Sequence, residues 1–390
     1  MTTTLSKELL NKKFMCYRVV RVSTGKELND FIELPFAIYK HDRNWVAPIR
    51  SELKRILDIK RNPYFRDASL VLFNCYRDKR IQARISLSVN YAYNSKAPVK
   101  TGFFGFFEAF NDPAAVKLLL DEVKNYCREE IILRLEGPFN PNLYSEVGML
   151  CSSFDSPPTF FQTYNPEYYN SLLSENGFNV LEILHTRINK NSSEYFNEKF
   201  KKPYELRTKE LVIRDFDEKN TEKDLEHLRN IYNDAFSENW HFTPVSREEY
   251  HFVSKHQSLV TPPELIKFVE YKGEPIAAVQ FALDVNPLLR KFKGRRNPVR
   301  YFELVAKRKE IDRVLIFAVG IKKEFRNSRV TDLLFKATVE VGRKYKIFET
   351  TWMYDNNRVA ISLAEKLGMK RDKEFCIYVC DLTERTFTSL

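Results

Sequence analysis

The stretch Asn239-Trp-His-Phe-Thr-Pro244 loosely repeats the earlier stretch Asn44-Trp-Val-Ala-Pro48. The two segments hold two of the three tryptophans of the chain, and Trp240 follows Trp45 after 195 residues. Four more pairs match at this offset: Phe73 and Phe268, Tyr76 and Tyr271, Ile81 and Ile276, and Ala83 and Ala278. A repeat over this distance predicts two homologous domains in one chain.

We place the first domain at residues 15–190 and the second at 205–385, which suits a chain of 390 residues. The Lys-, Asn- and Ser-rich stretch 191–204, which contains Pro203, is predicted to be the linker. Both halves show one order of patterns: strand, helix, β-hairpin, buried strand, helix, strand, helix and final strand. Such alternation predicts an α/β (α+β) class, with helices on both faces of a mixed, mostly antiparallel twisted sheet.

The composition excludes several kinds of site. The chain has only 11 glycines, and neither G-x-G-x-x-G nor G-x-x-x-x-G-K-[ST] occurs, which argues against dinucleotide-binding and P-loop domains. None of the six cysteines forms a C-x-x-C pair, and no H-E-x-x-H occurs among the six histidines. We therefore expect no metal.

The N-terminal residues lack the apolar core of a signal peptide, and no apolar run approaches the ~20 residues that span a bilayer. The sequence therefore predicts a cytoplasmic protein, and peripheral contact with the inner face of the cytoplasmic membrane stays open.

The net charge of +11 is concentrated in residues 290–313, which hold ten Lys or Arg against three acidic residues. Apolar residues are interleaved with these charges. The segment is interpreted either as a solvated face, as a surface for anionic lipids or as a docking site for an acidic acyl carrier protein. Nucleic acid is disfavoured, because no recognised binding module accompanies the charge.

The segment Val319-Gly-Ile-Lys-Lys-Glu-Phe-Arg-Asn-Ser-Arg-Val-Thr331 follows a buried strand and precedes a helix. It resembles the signature of the GNAT acyltransferase superfamily, a strand followed by R-x-x-G-x-[GA] and a helix. In that loop, backbone N–H groups and the helix N-terminus bind the pyrophosphate of acyl-CoA. Arg326 matches the first position, whereas Arg329 and Thr331 replace the two small residues.

The resemblance implies a donor site at positions 319–321 and 326–331 and at Asn357, which is otherwise a helix cap. Its predicted members are Val319, Gly320, Ile321, Arg326, Asn327, Ser328, Arg329, Val330, Thr331 and Asn357. The first half has no Arg-led loop after its fourth strand and resembles a degenerate GNAT domain that serves as a scaffold or an acceptor wall.

The whole chain also resembles a bacterial group of tandem GNAT proteins that contains ceramide synthases. The matching stretches are Gly102–Glu108, Gly137–Pro141, Phe154–Pro158, Tyr164–Tyr169, Asn239–Pro244, Glu349–Trp352 and Asp355–Asn357. The resemblance implies transfer of an acyl group from acyl-CoA, or from an acylated carrier protein, to the amine of a sphingoid base.

Acyl transfer to an amine requires removal of a proton from the ammonium, polarisation of the carbonyl and protonation of the thiolate. The family's usual acid, a Tyr, is replaced by Ala364, so Tyr354 is a candidate substitute. Glu349 lies within an apolar strand and is a candidate base or amine anchor, since alternation places it on one face with Thr351 and Met353.

The acceptor side is assigned to residues near the end of the fifth strand, after the first helix of the second half, and in the Phe-Asp-Ser-Pro-Pro loop. These candidates are Asn239, Trp240, Phe242, Trp352, Asp355 and Asp155. Two alternatives to a sphingoid-base acyltransferase stay open: an N-acetyltransferase for a soluble amine, and a non-catalytic GNAT-fold protein that binds lipid or a partner.

Overall fold

The computed structural model of the chain describes residues 16–142, 145–201, 210–254, 260–326 and 329–382. Its strands are β1 Tyr17–Arg21, β2 Ala68–Arg77, β3 Arg80–Asn90, β4 Thr101–Ala109, β5 Arg134–Gly137, β6 Phe139–Asn140, β7 Glu146–Val147, β8 Met149–Leu150, β9 Asn179–Asn189, β10 Leu211–Asp215, β11 Ile266–Tyr271, β12 Glu274–Leu283, β13 Arg313–Ile321, β14 Ile347–Thr350, β15 Met353–Tyr354 and β16 Lys370–Asp381.

Its α-helices are α1 Gly25–Ile38, α2 Arg50–Leu57, α3 Tyr91–Asn94, α4 Pro113–Glu129, α5 Tyr168–Ser174, α6 Ser192–Lys199, α7 Thr221–Ala235, α8 Arg247–Ser254, α9 Asn286–Leu289, α10 Pro298–Lys307, α11 Val330–Gly342 and α12 Arg358–Lys366. None of the helices within the described ranges combines the length and apolar composition needed to cross a bilayer.

Local sequence fixes where the main helices begin. Thr24 and Glu27 form a reciprocal capping box at the start of α1. Asp112 caps α4 by accepting a hydrogen bond from Ala115 N, and Pro113 follows at a position where no N–H is needed. The predicted hairpins, central strands and long helices are present in both halves.

A single mixed sheet runs through the molecule in the order β1-β2-β3-β4-β5-β16-β9-β14-β13-β12-β11-β10. The last strands of the two halves are exchanged: β16 pairs with β5 of the first half, and β9 pairs with β14 of the second half. The exchanged strands also pair with each other at the centre of the sheet. The mixed α/β class is confirmed, and the two halves share one sheet.

Each half has a core on both faces of its part of the sheet. In the first half, α4 packs against one face of β2–β4, and α1 and α2 pack against the other. In the second half, α11 and α12 cover one face and α7 covers the other. Helices on both faces were predicted for each half.

The structure corrects the residue matches that the repeat predicted within the hairpins. The turn residues Asp78 and Lys79 correspond to Lys272 and Gly273, and both hairpins contain a bulge just before the turn. The matching offset is therefore 194 residues, not 195. A slip of one residue reverses the face of every side chain, which is why Phe73 packs on the α4 face whereas Phe268 packs on the α7 face.

The stretch predicted as the linker includes helix α6. Its Phe196 is fully buried, and a Cβ on Gly342 would lie 2.0 Å from the Phe196 ring. Phe196 also packs edge-on against Phe348 of β14, with ring centroids 5.7 Å apart. Apolar rings at positions 195, 196 and 200 explain why this polar segment folds onto the core of the second half.

Candidate active site

The centre of the candidate site is the place where β13 and β14 separate. These parallel strands pair only from Arg313 to Ile316, whereas β13 continues to Ile321 beside β12. The register of β13 against β12 shifts by one residue at Phe317, as in a β-bulge. Beyond Phe317, the described part of the chain pairs no strand with this edge of β13. A wedge-shaped opening results, with backbone groups of β13 along one side.

A loop from the first half reaches across to this opening. Phe161 lies 4.6 Å from Phe317 between ring centroids, and together with Trp352 it lines a cleft of about 230 Å³, a volume that includes the solvent-exposed space at its mouth. Other lining residues are Val147, Phe160, Gln162, Thr186, Thr351 and Phe375. Phe161 has φ +69°, an unusual backbone angle for an aromatic residue. The loop is thus held in a strained conformation at the opening.

Hydrogen bonds from the second half hold this loop. Asp284 Oδ1 accepts from Phe160 N at 3.1 Å, and Asn286 Nδ2 donates to Pro158 O at 2.9 Å. Lys373 Nζ donates to Pro157 O at 2.5 Å. Because Asp284, Asn286 and Lys373 are all buried, the loop is a fixed wall of the site.

Glu349 lies beneath the same loop and is fully buried. Its Oε1 accepts hydrogen bonds from Thr159 Oγ1 at 3.2 Å and from Gln162 Nε2 at 2.6 Å. Burial raises the pKa of Glu349 to about 7, although the charges of Arg313 and Lys373 act in the opposite direction. The predicted candidate base therefore contacts the loop of the first half.

Tyr354 lies in an aromatic group at the end of the fifth strand. Its ring is 5.6 Å from Trp352 and 6.1 Å from Trp240 between centroids. Burial raises the pKa of Tyr354, and the nearby charge of Glu182 raises it further. These three predicted residues are brought together by the fold, and Tyr354 keeps its proton.

The predicted donor loop lies at the N-terminus of α11. Val319 is exposed, whereas Gly320 is buried against α7, where a Cβ would lie 2.8 Å from Tyr232. Arg326 donates to Ala235 O and to Glu238 Oε2, so its guanidinium is tied to the end of α7. Arg329 is exposed just before the helix.

The other predicted donor residues are placed as follows. Ile321 ends β13, Val330 is buried at the start of α11, and Thr331 is half-buried. Asn327 and Ser328 lie outside the described residues. Asn357 caps α12, with Oδ1 accepting from Ala360 N at 3.1 Å.

The remaining acceptor candidates lie around the aromatic group. Asn239 is exposed and Phe242 is half-buried in the turn after α7. Asp155 is exposed on the loop from the first half, and its carbonyl accepts from Asn44 Nδ2. Asp355 forms an ion pair with Arg371 at 2.6 Å, so its carboxylate is already engaged.

The first half contains a counterpart of this opening, which sequence reasoning missed. There Phe103 pairs with Glu136, as Leu315 pairs with Glu349 in the second half. The two buried glutamates therefore occupy equivalent positions in the fifth strands, β5 and β14. The signal was present in the sequence, since each follows an apolar residue, in Leu135-Glu-Gly137 and in Phe348-Glu-Thr350.

The first-half opening is filled differently. The chain itself enters it as β6: Asn140 Oδ1 accepts from Phe106 N at 2.6 Å, and a Cβ on Gly105 would lie 1.8 Å from Phe139 O. Glu136 is hydrogen-bonded to His241 Nε2 of the second half. Each buried glutamate thus receives a side chain from the opposite half.

Comparison with known proteins agrees with this architecture. Residues 225–369 match the acetyltransferase (GNAT) family. The chain is 28% identical to the bacterial ceramide synthase of Caulobacter vibrioides over 369 residues, which cover 92% of this chain and 96% of that protein. It is 22% identical to protein YghO of Escherichia coli over 372 residues, 92% of this chain and 94% of that protein.

The fold matches a tandem GNAT protein from the clavulanic acid biosynthesis pathway, with a TM-score of 0.56 at 10% identity, over 95% of this chain and 99% of that one. A probable N-acyltransferase from Enterococcus faecalis gives a TM-score of 0.54 at 8% identity, over 95% of this chain and 74% of that one. The chain therefore has a tandem GNAT-like fold, its residues 225–369 match the acetyltransferase (GNAT) family, and it is similar over nearly its whole length to a bacterial ceramide synthase.

Proposed function

We propose that this protein is an N-acyltransferase that moves a long acyl chain from an acyl thioester to the amine of a sphingoid base. The observation that carries the proposal is the opening between β13 and β14, which lies inside the segment that matches the acetyltransferase family. An apolar cleft adjoins this opening. The relative named as a ceramide synthase supports the choice of acceptor.

The donor is assigned to the open edge of β13. A backbone N–H of Val319 or Gly320 donates to the thioester carbonyl and stabilises the oxyanion that forms on attack. The phosphates of acyl-CoA lie at residues 326–331, beside the N-terminus of α11. Because Arg326 is engaged by Glu238, the exposed Arg329 is the residue we assign to the phosphates.

Under this proposal the first half has no donor site of its own, although its loop 157–162 forms one wall of the cleft in the second half. The opening of the first half is filled by β6: a Cβ on Gly105 would lie 1.8 Å from Phe139 O, and Phe106 N donates to Asn140 Oδ1. A thioester therefore has no room at this edge of β4. This supports a scaffold role for the first half.

The reaction forms a C–N bond and breaks the C–S bond. The ammonium first loses a proton to solvent water, and the amine attacks the carbonyl. Tyr354 then donates a proton to the departing thiolate and recovers one from the second proton that the nitrogen releases. Glu349 is closed off by Thr159 and Gln162. We therefore favour a positioning role for it, in which it holds the loop, over direct contact with the amine.

The acceptor is assigned to the Trp352 side of the cleft and to the adjoining aromatic group that contains Trp240, and we assign Asn239, Phe242, Asp155 and Asp355 to its rim. Aromatic rings suit the hydrocarbon chain of a sphingoid base. The exposed polar groups at the rim suit its hydroxyl-bearing head.

An anionic membrane surface is the partner we propose for the region around α10. Val299 and Phe302 are 73% and 74% exposed, and Val305 lies on the same side of the helix. Exposed basic residues flank them at positions 295, 296, 300 and 307. Exposed apolar side chains among basic ones are typical of helices that lie at a lipid interface. An acidic carrier protein would use the charges but not the apolar face.

The proposed function is tested by incubating the purified protein with sphinganine and, in separate reactions, acetyl-CoA, palmitoyl-CoA or palmitoylated carrier protein. Mass spectrometry then detects N-acyl product. We expect product from a palmitoyl donor. Product from acetyl-CoA alone would favour a short-chain transferase, and no product from any donor would contradict the proposal.

A matched pair of variants links the activity to the donor loop. Arg329→Ala is expected to raise the KM for palmitoyl-CoA about tenfold, because a charge-assisted contact to phosphate is lost. Lys370→Ala removes an exposed charge outside the loop and should leave the KM unchanged.

A further inference from the structure

A second cavity lies in the first half, on the α8 side of the molecule. It is a partly open cleft built by both halves, and its volume of about 460 Å³ includes the solvent-exposed space at its mouth. The lining residues that matter here are Tyr93, Phe103, His241 and Glu249. It is separate from the cleft at Phe317, because β5 and β14 lie three strand spacings apart, about 14 Å.

We propose that this cavity is a binding site for the ammonium group of a primary amine, with His241 as the contact and Glu136 as the residue that positions it. The proposal does not depend on the reaction proposed above. His241 has a side chain that is only 7% exposed and a backbone φ of +58°. A left-handed backbone is uncommon outside glycine, and here it turns the ring into the first half.

The partner of His241 fixes its chemistry. Glu136 is 2% exposed and is hydrogen-bonded to Nε2. In the neutral tautomer in which Nε2 donates to this carboxylate, Nδ1 keeps a lone pair and is an acceptor. An ammonium group, which carries only donors, is the complement of that arrangement.

The walls of the cavity also suit a cation. The rings of Tyr93 and Phe103 stand edge-on to His241, with centroids 4.7 Å and 5.5 Å away. Aromatic faces attract ammonium groups. Glu249 also lines the cavity, and its carboxylate, which accepts a hydrogen bond from Ser246 N, attracts a cation and repels the phosphates of an acyl-CoA.

The equivalent carboxylate in the second half has different surroundings. Glu349 is covered by Thr159 and Gln162. Glu136 instead stands behind a histidine that lines a cavity. The two equivalent carboxylates therefore have different roles: Glu349 holds a loop, and Glu136 orients a ring that lines the cavity.

The test compares three probes of equal chain length: n-octylamine, n-octanol and octanoate. Binding is followed by the fluorescence of Trp240, which stacks on His241 with ring centroids 3.6 Å apart, and by calorimetry. We expect octylamine to bind at least about tenfold more tightly than the other two, the scale of one charge-assisted hydrogen bond. Equal affinities for octylamine and octanol would overturn the proposal and leave only an apolar cavity.

Variants separate the contact from its positioning residue. His241→Gln and Glu136→Gln should each remove the preference for octylamine over octanol, whereas Phe161→Leu, at the other cleft, should keep it. Glu136→Gln with an unchanged preference would exclude the pair from the site. If either variant fails to fold, Tyr93→Leu tests the same cavity, and full retention of the preference in that variant would contradict the proposal.

Discussion

Glu349 has different surroundings in the folded and the unfolded chain, and this difference lowers the free energy of unfolding when the carboxyl is ionised. The folded protein holds the carboxyl fully buried, with a pKa of about 7 against an ordinary value of 4.5. Burial is the main cause, and the guanidinium of Arg313 at 3.8 Å offsets part of it. A group with a raised pKa contributes fully to stability only while it is protonated in both states.

Stability should therefore fall as the pH rises from about 4.5 to about 7, because the unfolded chain releases the proton first. The loss attributable to Glu349 is at most about 3–4 kcal/mol. In Glu349→Gln this loss is absent, so the free energy of unfolding of the variant minus that of the wild type should increase over this pH range. Denaturant titrations at pH 4.5 and 7.5 measure it, with the exposed Glu167→Gln as control. A difference that is independent of pH would contradict the raised pKa.

Tyr354 is the second residue whose role can be tested alone. Tyr354→Phe keeps the ring against Trp240 and Trp352 but removes the only proton that the side chain can donate. We expect turnover with palmitoyl-CoA to fall at least about tenfold, with an unchanged melting temperature. Turnover equal to that of the wild type would remove Tyr354 from the mechanism.

At the scale of elements, the loop 157–162 brings residues of the first half into the site of the second half. It is anchored by Asp284, Asn286 and Lys373 and ends in contact with the bulge of β13. Backbone strain at a non-glycine residue is retained where the surroundings fix it, often at functional positions. Phe161 is such a residue.

Comparing Phe161→Ala with Phe161→Gly separates the effect of removing the ring from the effect of relieving the backbone strain. Both variants widen the cleft, so the ratio of kcat/KM for long over short acyl chains should rise in both. Phe161→Gly should unfold at a higher temperature than Phe161→Ala, since glycine adopts positive φ at about 1 kcal/mol less cost. An unchanged chain-length ratio would exclude the ring as a wall of the acyl site.

Helix α10 can be tested in the same way. The double variant Val299→Ser, Phe302→Ser should reduce co-sedimentation with vesicles that contain anionic lipid about tenfold or more, because two apolar side chains lose contact with the interface. Val359→Ser is a matched control, as Val359 is 72% exposed on another helix. Equal binding of the wild type to zwitterionic and anionic vesicles would contradict an anionic membrane partner, and binding to an acylated carrier protein would then be examined.

At the scale of the whole molecule, the exchange of β9 and β16 makes the folding of each half depend on the other. Each half relies on the other for the strand beside its fifth strand. Ile377 of β16 is fully buried in the cluster where the halves meet. The two repeats therefore form one cooperative structure.

We predict a single thermal unfolding transition, with equal calorimetric and van't Hoff enthalpies, for the full chain. Ile377→Ala should lower the free energy of unfolding by about 2–5 kcal/mol, the cost of a buried cavity. The transition should move to a lower temperature without splitting. Differential scanning calorimetry measures both. Two resolved transitions in the wild type would mean that the halves fold independently in spite of the shared strands.

The sequence by itself determined the duplicated α/β organisation, the positions of the hairpins and long helices, and the family signature before α11. These follow from local periodicity, capping residues such as Asn357, and the repeat of Trp45 as Trp240. Periodicity could not fix the hairpin register to one residue, because Phe73 and Phe268 are equally buried on opposite faces.

Only the tertiary structure decided which half supplies which part of each site. The exchange of β9 and β16, the covering of Glu349 by Thr159 and Gln162, and the pairing of Glu136 with His241 join residues more than 100 positions apart. No local pattern encodes such contacts, since they arise from strand pairing and packing between the two repeats. For this reason the sequence could nominate Glu349 and Trp240, but only the fold revealed what each of them faces.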